Sequence, residues 1–289
     1  MNYLYLQRGL FITVASLSIV SHLLGMATSD YTMIVILAIS VFLLGIPHGA
    51  ADPVVAKSIG LWKSKADLAI FSMTYVLISA IALLFWLFLP RTALVLFLAI
   101  SVWHFAGDWY DDVGGLLSNA ISASLISLPA LFHPNEVETL FRTLTGLETQ
   151  GITFMIASLA PIVTLIAFCS VFKLSLTNIT LSIEVFVLLV AAALLPPLWF
   201  FLLYFCFLHS PKHIIALIKE FEGKQLFKTI LIYTAITGFF IWGFWDVVDS
   251  IAISDALVKL VFLCLFALTV PHMILVELFR KEISFETKD

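Results

Sequence analysis

The sequence predicts an all-α, polytopic integral membrane protein, a helical bundle of about ten transmembrane helices that forms a single transmembrane domain over residues 1–289. Its composition lies far outside the soluble range, with 62% hydrophobic residues, 12% charged residues and a mean hydropathy of +1.10. Apolar runs of roughly 20 residues recur along the chain, and each can cross about 30 Å of hydrocarbon as a helix. A transmembrane barrel needs short segments of alternating polarity, whereas residues 66–90 are apolar on every face.

Each predicted helix is an apolar run bounded by polar or proline-containing residues. The runs, in chain order, are 6–25, 31–57, 65–89, 91–110, 114–132, 152–173, 178–195, 197–220, 226–247 and 251–281. The breaks between them are 28–30, 62–64, 90–91, 111–112, 133–151, 177–178, 196–197, 222–224 and 246–249. Residues 133–151 are expected to form a loop. Arg8 resembles the charge that begins a signal peptide, but no convincing small-residue cleavage site follows, so we interpret the first run as a retained helix.

The distribution of Lys and Arg supports this helix count and orients the chain. With both termini in the cytoplasm, twelve of the 15 basic residues fall on the cytoplasmic side, and the remaining three are Arg91, Arg142 and Lys259. A miscounted helix in the middle would scramble this pattern. We therefore expect a multi-pass protein of the cell (inner) membrane, in which even-numbered helices run from outside to inside.

The sequence disfavours a disulfide-stabilised protein and a nucleic-acid-binding protein. The three cysteines lie singly within apolar runs and form neither a paired framework nor a CxxC motif, so we expect no disulfide. No basic patch accompanies the net charge of −4, so we expect no nucleic-acid partner.

Histidines mark the predicted helices of even number. Each of four such helices carries a histidine in its later part, and these are His48, His104, His209 and His272. Because the four helices share a direction, these histidines are expected at a similar depth, where ionisable groups tend to face the bundle interior. His213 follows His209 by four residues, so the two rings can share a helix face and bind one metal ion, although Pro211 between them can kink the helix. Any one of these histidines alone is more often a packing residue, but the set indicates a metal site.

Aspartates accompany two of these histidines. Asp52 follows His48 by four residues, and Asp108 follows His104 at the same spacing. A carboxylate commonly accepts the second ring N–H of a metal-bound imidazole, so both are candidates for orienting ligands. Imidazole nitrogens favour iron, copper or zinc over magnesium or calcium. Trp103 is a candidate for lining a substrate tunnel, whereas His22 and His133 are expected to have no role in metal binding.

Four segments resemble motifs of the Brp/Blh family of membrane β-carotene 15,15′-dioxygenases from bacteria and archaea, in family order. Their sequences are GIPHGAADP at 45–53, WHFAGD at 103–108, HSPKH at 209–213 and PHMILVE at 271–277. The resemblance implies a non-haem Fe(II) enzyme that cleaves the central double bond of β-carotene with dioxygen to give two molecules of all-trans-retinal. It implies the ligands His48, His104, His209 and His213, and leaves open whether His272 is a ligand or lines the pocket. It also implies that residues 1–289 form one catalytic domain.

Other functions remain open from the residues alone. A lipid desaturase or hydroxylase with a di-iron site would use clustered HxxH or HxxHH boxes, whereas this chain has only HxxxH. A metal or proton transporter, or a haem-type electron carrier, could use the same intramembrane His and Asp. The partners implied by the resemblance are β-carotene, dioxygen and membrane lipid, and the product suggests an apo-rhodopsin as retinal acceptor.

Overall fold

The protein is all-α in a computed structural model that describes residues 3–26, 29–243 and 253–286. Its α-helices are α1 Tyr3–Leu23, α2 Asp30–Ser40, α3 Ile46–Gly49, α4 Asp52–Ser58, α5 Lys65–Phe88, α6 Pro90–Ala106, α7 Tyr110–Val113, α8 Gly115–Phe132, α9 Pro134–Thr145, α10 Gln150–Thr177, α11 Ile179–Leu194, α12 Pro197–Tyr204, α13 Ser210–Glu220, α14 Gly223–Gly243 and α15 Ile253–Glu286. Two π-helical turns, Val41–Gly45 and Phe205–His209, join α2 to α3 and α12 to α13.

Seven helical segments among the described residues are long and apolar enough to cross a membrane. They are Tyr3–Leu23, Tyr31–Ser58, Lys65–Phe88, Gly115–Phe132, Gln150–Thr177, Pro197–Glu220 and Asp255–Arg280. Helices α6 and α11 are shorter apolar helices, and α14 covers most of the predicted run 226–247, of which 244–247 lie outside the described residues. The prediction of a multi-pass helical membrane protein is confirmed, whereas the count of ten crossings and the cytoplasmic position of both termini stay predictions.

The exposed surface of helix α5 is mostly apolar along its length. Its side chains Met73, Leu77, Ile81, Leu84 and Phe88 are all exposed. An exposed apolar face of this length is unfavourable in water but suits hydrocarbon, where backbone polar groups are satisfied inside the helix. Apolar residues on every face of this helix fit a position between protein on one side and hydrocarbon on the other.

Two large apolar clusters form most of the described core, and the helix that contains the second π-turn lies between them. One cluster surrounds Trp86, whose ring lies 4.9 Å from that of Phe266 and 6.2 Å from that of Phe97. The other contains Trp109 and Tyr204, with rings stacked 6.2 Å apart. Tyr204 belongs to the second cluster, whereas the next residue, Phe205, belongs to the first. The Phe205–His209 turn is therefore held from both sides.

The prediction of a loop over 133–151 was wrong, because this segment contains the amphipathic helix α9. Its first turn begins with Pro134, it buries Val137, Phe141 and Leu144 against the first cluster, and it ends at Gly146 in the left-handed region. Apolar residues at this spacing place one face of the helix on the core. The segment is too polar to read as a membrane crossing, and this is why hydropathy alone missed it.

The helix predicted over 91–110 is also shorter than expected. Helix α6 ends at Ala106, and residues 107–109 form a turn before α7. A side chain at Gly107 would lie 3.0 Å from Nη2 of Arg280 and 3.1 Å from the carbonyl oxygen of His104. This turn moves Asp108 off the helical face that carries His104.

Candidate metal centre

Five histidine rings from separate parts of the chain meet inside the bundle. They come from α3, α6, the second π-turn, α13 and α15, and are His48, His104, His209, His213 and His272. The distances between ring centroids range from 4.6 Å for His209–His213 to 6.5 Å for His48–His104. The residues predicted to lie at a common depth therefore do come together.

Three of these rings converge most closely. One nitrogen from each of His48, His104 and His209 lies within 4.8 Å of the other two. Within this group the Nε2 atoms of His104 and His209 are only 3.1 Å apart. Two nitrogens bound to one transition-metal ion at about 2.1 Å from it lie roughly 3 to 4 Å apart. The His104 and His209 nitrogens have this spacing, and the His48 nitrogen lies within 4.8 Å of both.

The two π-turns place two of these histidines. The first π-turn ends at Gly45, three residues before His48, and the second ends at His209 itself. A Cβ at Gly45 would lie 2.5 Å from Cε1 of Phe205, so only glycine lets the two π-turns approach this closely. Ser210 joins them by donating a hydrogen bond to the carbonyl oxygen of Leu44. π-Turns commonly occur at functional sites, because they rephase the side chains that follow them.

Asp108 holds the ring of His209. Its Oδ2 atom lies 3.0 Å from Nδ1 of His209 and accepts a hydrogen bond of 2.9 Å from the Tyr204 hydroxyl. Lys212 donates to the backbone carbonyl of Asp108. When Nδ1–H donates to the carboxylate, Nε2 of His209 carries the lone pair and faces His104. Asp108 thus orients a histidine of another helix, and not His104 four residues before it.

His213 lies at the edge of the cluster. Its side chain is 31% exposed, and its Nε2 atom lies 3.7 Å from Oδ1 of Asp108. Asp108, His209 and His213 form a second group whose potential ligand atoms all lie within 4.8 Å of one another. His209 belongs to both groups, so His213 is joined to the centre through His209 and Asp108.

Asp52 likewise contacts a histidine of another helix. Its two carboxylate oxygens lie 2.8 and 3.0 Å from Nδ1 of His272, and Oδ2 accepts a hydrogen bond of 2.8 Å from the Tyr75 hydroxyl. His48, four residues earlier, instead has its Nδ1 atom 2.5 Å from the carbonyl oxygen of Gly45. The helix is interrupted by a turn at residues 50–51, so the spacing of four does not place His48 and Asp52 together.

Trp103 lies on the surface of the bundle, and its role in lining a substrate tunnel stays a prediction. It is 56% exposed, and its Nε1 atom donates to Oε1 of Glu277 at 3.1 Å. Successive side chains on a helix diverge by about 100°, so Trp103 and His104 face different directions. His133 lies just before α9, where its Nε2 atom is 3.2 Å from the carbonyl oxygen of Ala193, and it belongs to neither group of potential ligands.

Sequence reasoning missed the buried polar residues around the cluster. Glu184 of α11 is fully buried, with Oε2 3.3 Å from Nε of Arg8 and Oε1 3.9 Å from Nζ of Lys212. The Trp109 indole donates to the same carboxylate at 3.4 Å. An acidic residue in the middle of an apolar helix is the signal that could have identified Glu184, because such residues are costly unless paired.

The donor set suits a transition-metal ion. The cluster offers imidazole nitrogens and one or two carboxylates, and among the described residues no cysteine belongs to either group. Neutral imidazoles are typical ligands of iron, copper and zinc, whereas magnesium and calcium prefer oxygen. One further observation fits a bound ion, since Nε2 of the buried His272 has no hydrogen-bond partner among the described residues.

Comparison with known proteins assigns the chain to a family. The sequence model of beta-carotene 15,15′-dioxygenase matches residues 39–280, a range that includes all five histidines. A protein of the uncultured marine bacterium 66A03, named beta-carotene 15,15′-dioxygenase, is 33% identical over 262 residues, which cover 86% of this chain and 94% of that protein. No solved structure matches the chain. The resemblance seen in the four motifs is confirmed, and the chain belongs to the beta-carotene 15,15′-dioxygenase family.

Proposed function

We propose that the protein is an iron-dependent enzyme of the inner membrane that cleaves the central double bond of β-carotene with dioxygen and forms two molecules of all-trans-retinal. The observation that carries this proposal is the convergence of the His48, His104 and His209 nitrogens within 4.8 Å inside an apolar helical bundle. The family supplies the substrate class, and the imidazole donors suit Fe(II).

His48, His104, His209 and His213 are the residues that we propose hold Fe(II). When bound, Fe(II) would supply the redox chemistry that activates dioxygen. Asp108 fixes the ring of His209, with its charge balanced in part by Lys212 at its backbone carbonyl. The apolar clusters bury His104 and His209, so the chain positions these ligands and keeps water from that side of the centre.

An apolar groove beside the centre supports a hydrocarbon substrate. It has a volume of about 350 Å³ and lies between α15 and the segment that runs from the end of α2 through the first π-turn. Its lining includes Ile39, Phe42, Ile46, Val261, Cys264 and Leu268. Ile46 is two residues before His48, and Leu268 is one helical turn before His272. A carotene has no polar group, so it can be positioned only by shape and dispersion. We propose that one arm of the polyene enters from the bilayer through this groove.

The first test is expression in a bacterium that accumulates β-carotene, followed by chromatography of the extract. We expect bleaching of the cells and retinal as the sole cleavage product. Two aldehydes of unequal length would contradict central cleavage. Unchanged carotene, with iron-loaded protein present in the membrane, would contradict the proposed substrate.

The proposed ligands are tested by four single substitutions to alanine, at His48, His104, His209 and His213. Each should reduce retinal to background while the protein still accumulates in the membrane, because each removes a nitrogen from the centre. His22→Ala is the matched control, since His22 is expected to have no role in metal binding. Full activity in two of the four variants would overturn the proposed ligand set.

A two-iron lipid oxygenase is the second candidate, and one observation favours it. Asp108, His209 and His213 form a separate group of potential ligands that shares only His209 with the first. The two readings differ in metal stoichiometry. One iron per purified chain supports the dioxygenase with a single centre, whereas two irons per chain support the second candidate.

We also propose a topology and a partner that suit this activity. Residues 1–289 would form one catalytic domain of ten crossings with both termini in the cytoplasm. Retinal would leave into the bilayer, where an apo-rhodopsin could accept it. Faster loading of an apo-rhodopsin in vesicles that contain the enzyme than in vesicles given the same amount of free retinal would support direct transfer, and equal rates would contradict it.

A further inference from the structure

His272 has one ring nitrogen that the contacts described above do not use. Its Nδ1 atom is engaged by both carboxylate oxygens of Asp52, at 2.8 and 3.0 Å. Its Nε2 atom is buried and has no hydrogen-bond partner among the described residues. A buried polar atom without a partner loses its interactions with water and gains nothing in return, so such an atom calls for a ligand.

The contacts of His272 fix which nitrogen carries the lone pair. A carboxylate accepts hydrogen bonds and cannot donate one when ionised, so in the neutral ring, which is the form that binds a metal ion, the proton lies on Nδ1 and the lone pair on Nε2. The ring lies 5.3 Å from that of His48 and 5.1 Å from that of His104, and meets both edge to face at 88°. The free lone pair therefore belongs to a ring that is packed directly against two of the proposed ligands.

Three helices hold the ring in this position. Asp52 begins α4, His272 lies in α15, and Tyr75 of α5 donates to Oδ2 of Asp52 at 2.8 Å while its hydroxyl lies 3.3 Å from the carbonyl oxygen of Leu268. The Tyr75 hydroxyl thus contacts both the carboxylate and the helix that carries His272. This arrangement repeats the one at the other side of the centre, where Tyr204 and Asp108 hold His209.

We propose that His272 is a further nitrogen ligand of the metal ion, and that Asp52 and Tyr75 are the positioning residues that present it. This inference rests on the proposed function, because it concerns the same iron. It makes the centre a set of five histidines in which two, His209 and His272, are each fixed by an aspartate and a tyrosine.

The test counts nitrogen ligands and measures iron affinity, so it does not depend on turnover. The wild-type protein is loaded with Fe(II) and treated with nitric oxide, and pulsed electron paramagnetic resonance then resolves the nitrogen hyperfine couplings. Iron affinity is measured by competition with a chromophoric chelator. His272→Ala should remove one set of histidine couplings and weaken iron binding by more than the roughly 10–100-fold that loss of an outer partner costs, and His272→Gln, which keeps the volume and a polar group, should do the same.

The positioning residues are expected to act differently. Asp52→Asn should keep the number of nitrogen couplings but weaken iron binding by about 10–100-fold, and Tyr75→Phe should weaken it less. Ser72→Ala is the matched control, because Ser72 lies one turn before Tyr75 on α5 and its hydroxyl instead lies 2.9 Å from that of Tyr233. Iron binding in this control should equal that of the wild type.

The outcomes separate this proposal from the proposed function. If the wild-type protein forms retinal and binds iron, while folded His272→Gln keeps every nitrogen coupling and the wild-type affinity, His272 is not a ligand and the inference is overturned. If the wild-type protein binds no iron, both the proposed function and this inference are overturned. Loss of one set of couplings in His272→Gln supports the inference even if the substrate proves to be another lipid.

Discussion

Four other polar residues of the centre contact or approach Asp108. It contacts His209 and Tyr204 through one oxygen, lies 3.7 Å from His213 through the other, and has its backbone carbonyl bound by Lys212. A buried carboxylate with these partners holds both a ring orientation and a tautomer. Its role therefore depends on charge, because a neutral amide of the same shape can donate as well as accept.

We expect Asp108→Asn to weaken iron binding by about 10–100-fold, because the amide no longer fixes the proton on Nδ1 of His209. The measurement is iron competition with a chelator on the purified protein. Asp112→Asn is the matched control, since Asp112 lies four residues later and is exposed. Equal iron affinities for Asp108→Asn and wild type would contradict this role.

The residues of the centre could be predicted from sequence, but their pairing could not. His48, His104, His209 and His272 could be identified because a histidine within an apolar run is costly and all four lie in predicted helices of even number, for which the sequence predicts one direction. The expected pairs of His48 with Asp52 and His104 with Asp108 depended on an unbroken helix. Both helices break between the two residues, so each aspartate meets a histidine that is distant in sequence.

At the scale of the elements, the two π-turns pack tightly against each other. Gly45 of the first π-turn faces Phe205 of the second, and Phe205 is itself stacked on Phe201 at 5.3 Å and on His209 at 5.8 Å. The Phe205 ring thus has protein on several sides and little room to move. A methyl group at Gly45 must push the two π-turns apart.

Gly45→Ala should therefore lower the Tm and the iron content of the purified protein, because overpacking a core costs about 1–3 kcal/mol. Gly49→Ala is the matched control, since a Cβ at that position would have no atom within 4 Å apart from its chain neighbours and the backbone of its own helix. The double variant Gly45→Ala with Phe205→Leu should recover part of the loss by making room for the methyl group. A single Gly45→Ala variant with unchanged Tm and iron content would contradict the packing argument.

Long apolar elements were predicted well, whereas short or interrupted ones were not. Hydropathy identified α5 and α10 almost to their ends because nearly every residue of each is apolar. It missed α9, in which only one face is apolar, and it joined α6 to α7 across the turn at Gly107. Neither π-turn was predicted, because an extra residue in one turn changes the direction of side chains without changing composition.

At the scale of the whole molecule, buried charges connect the first helix to the centre. Arg8 of α1 pairs with Glu184 of α11, and their side chains are 5% and 0% exposed. Glu184 also approaches Lys212, which binds the backbone of Asp108. Two ion pairs, Arg8 with Glu184 and Glu184 with Lys212, therefore connect α1 to the residue that binds Asp108.

We expect Glu184→Gln to lower the stability of the protein by about 3–5 kcal/mol, because it leaves the buried Arg8 unpaired. A thermal melt in detergent measures the effect. Glu148→Gln is the matched control, since Glu148 pairs with Arg142 at 3.6 Å but both side chains are more than half exposed, and such pairs contribute about 0–1 kcal/mol. A smaller loss in Glu184→Gln than in the control would contradict a structural role for this pair.

The apolar groove gives a second prediction at this scale. Val261→Trp places a large side chain in the groove and should reduce retinal formation by about tenfold or more, with iron content unchanged, because the polyene can no longer be positioned. Leu77→Trp makes the same change on the exposed face of α5 and should leave retinal formation unaltered. Equal retinal yields from the two variants would show that the substrate enters elsewhere.

The π-turns also bear on how activity could be lost in evolution. Each holds one residue more than an α-helical turn, and deleting that residue would rotate the adjoining helix by about 100° while leaving its hydropathy almost unchanged. Such a relative would keep all five histidines and still insert into a membrane, but His48 or His209 would face away from the others. Inactive members of the family could therefore be recognised by a residue missing from the π-turn just before the first or the third motif, even when every motif is intact.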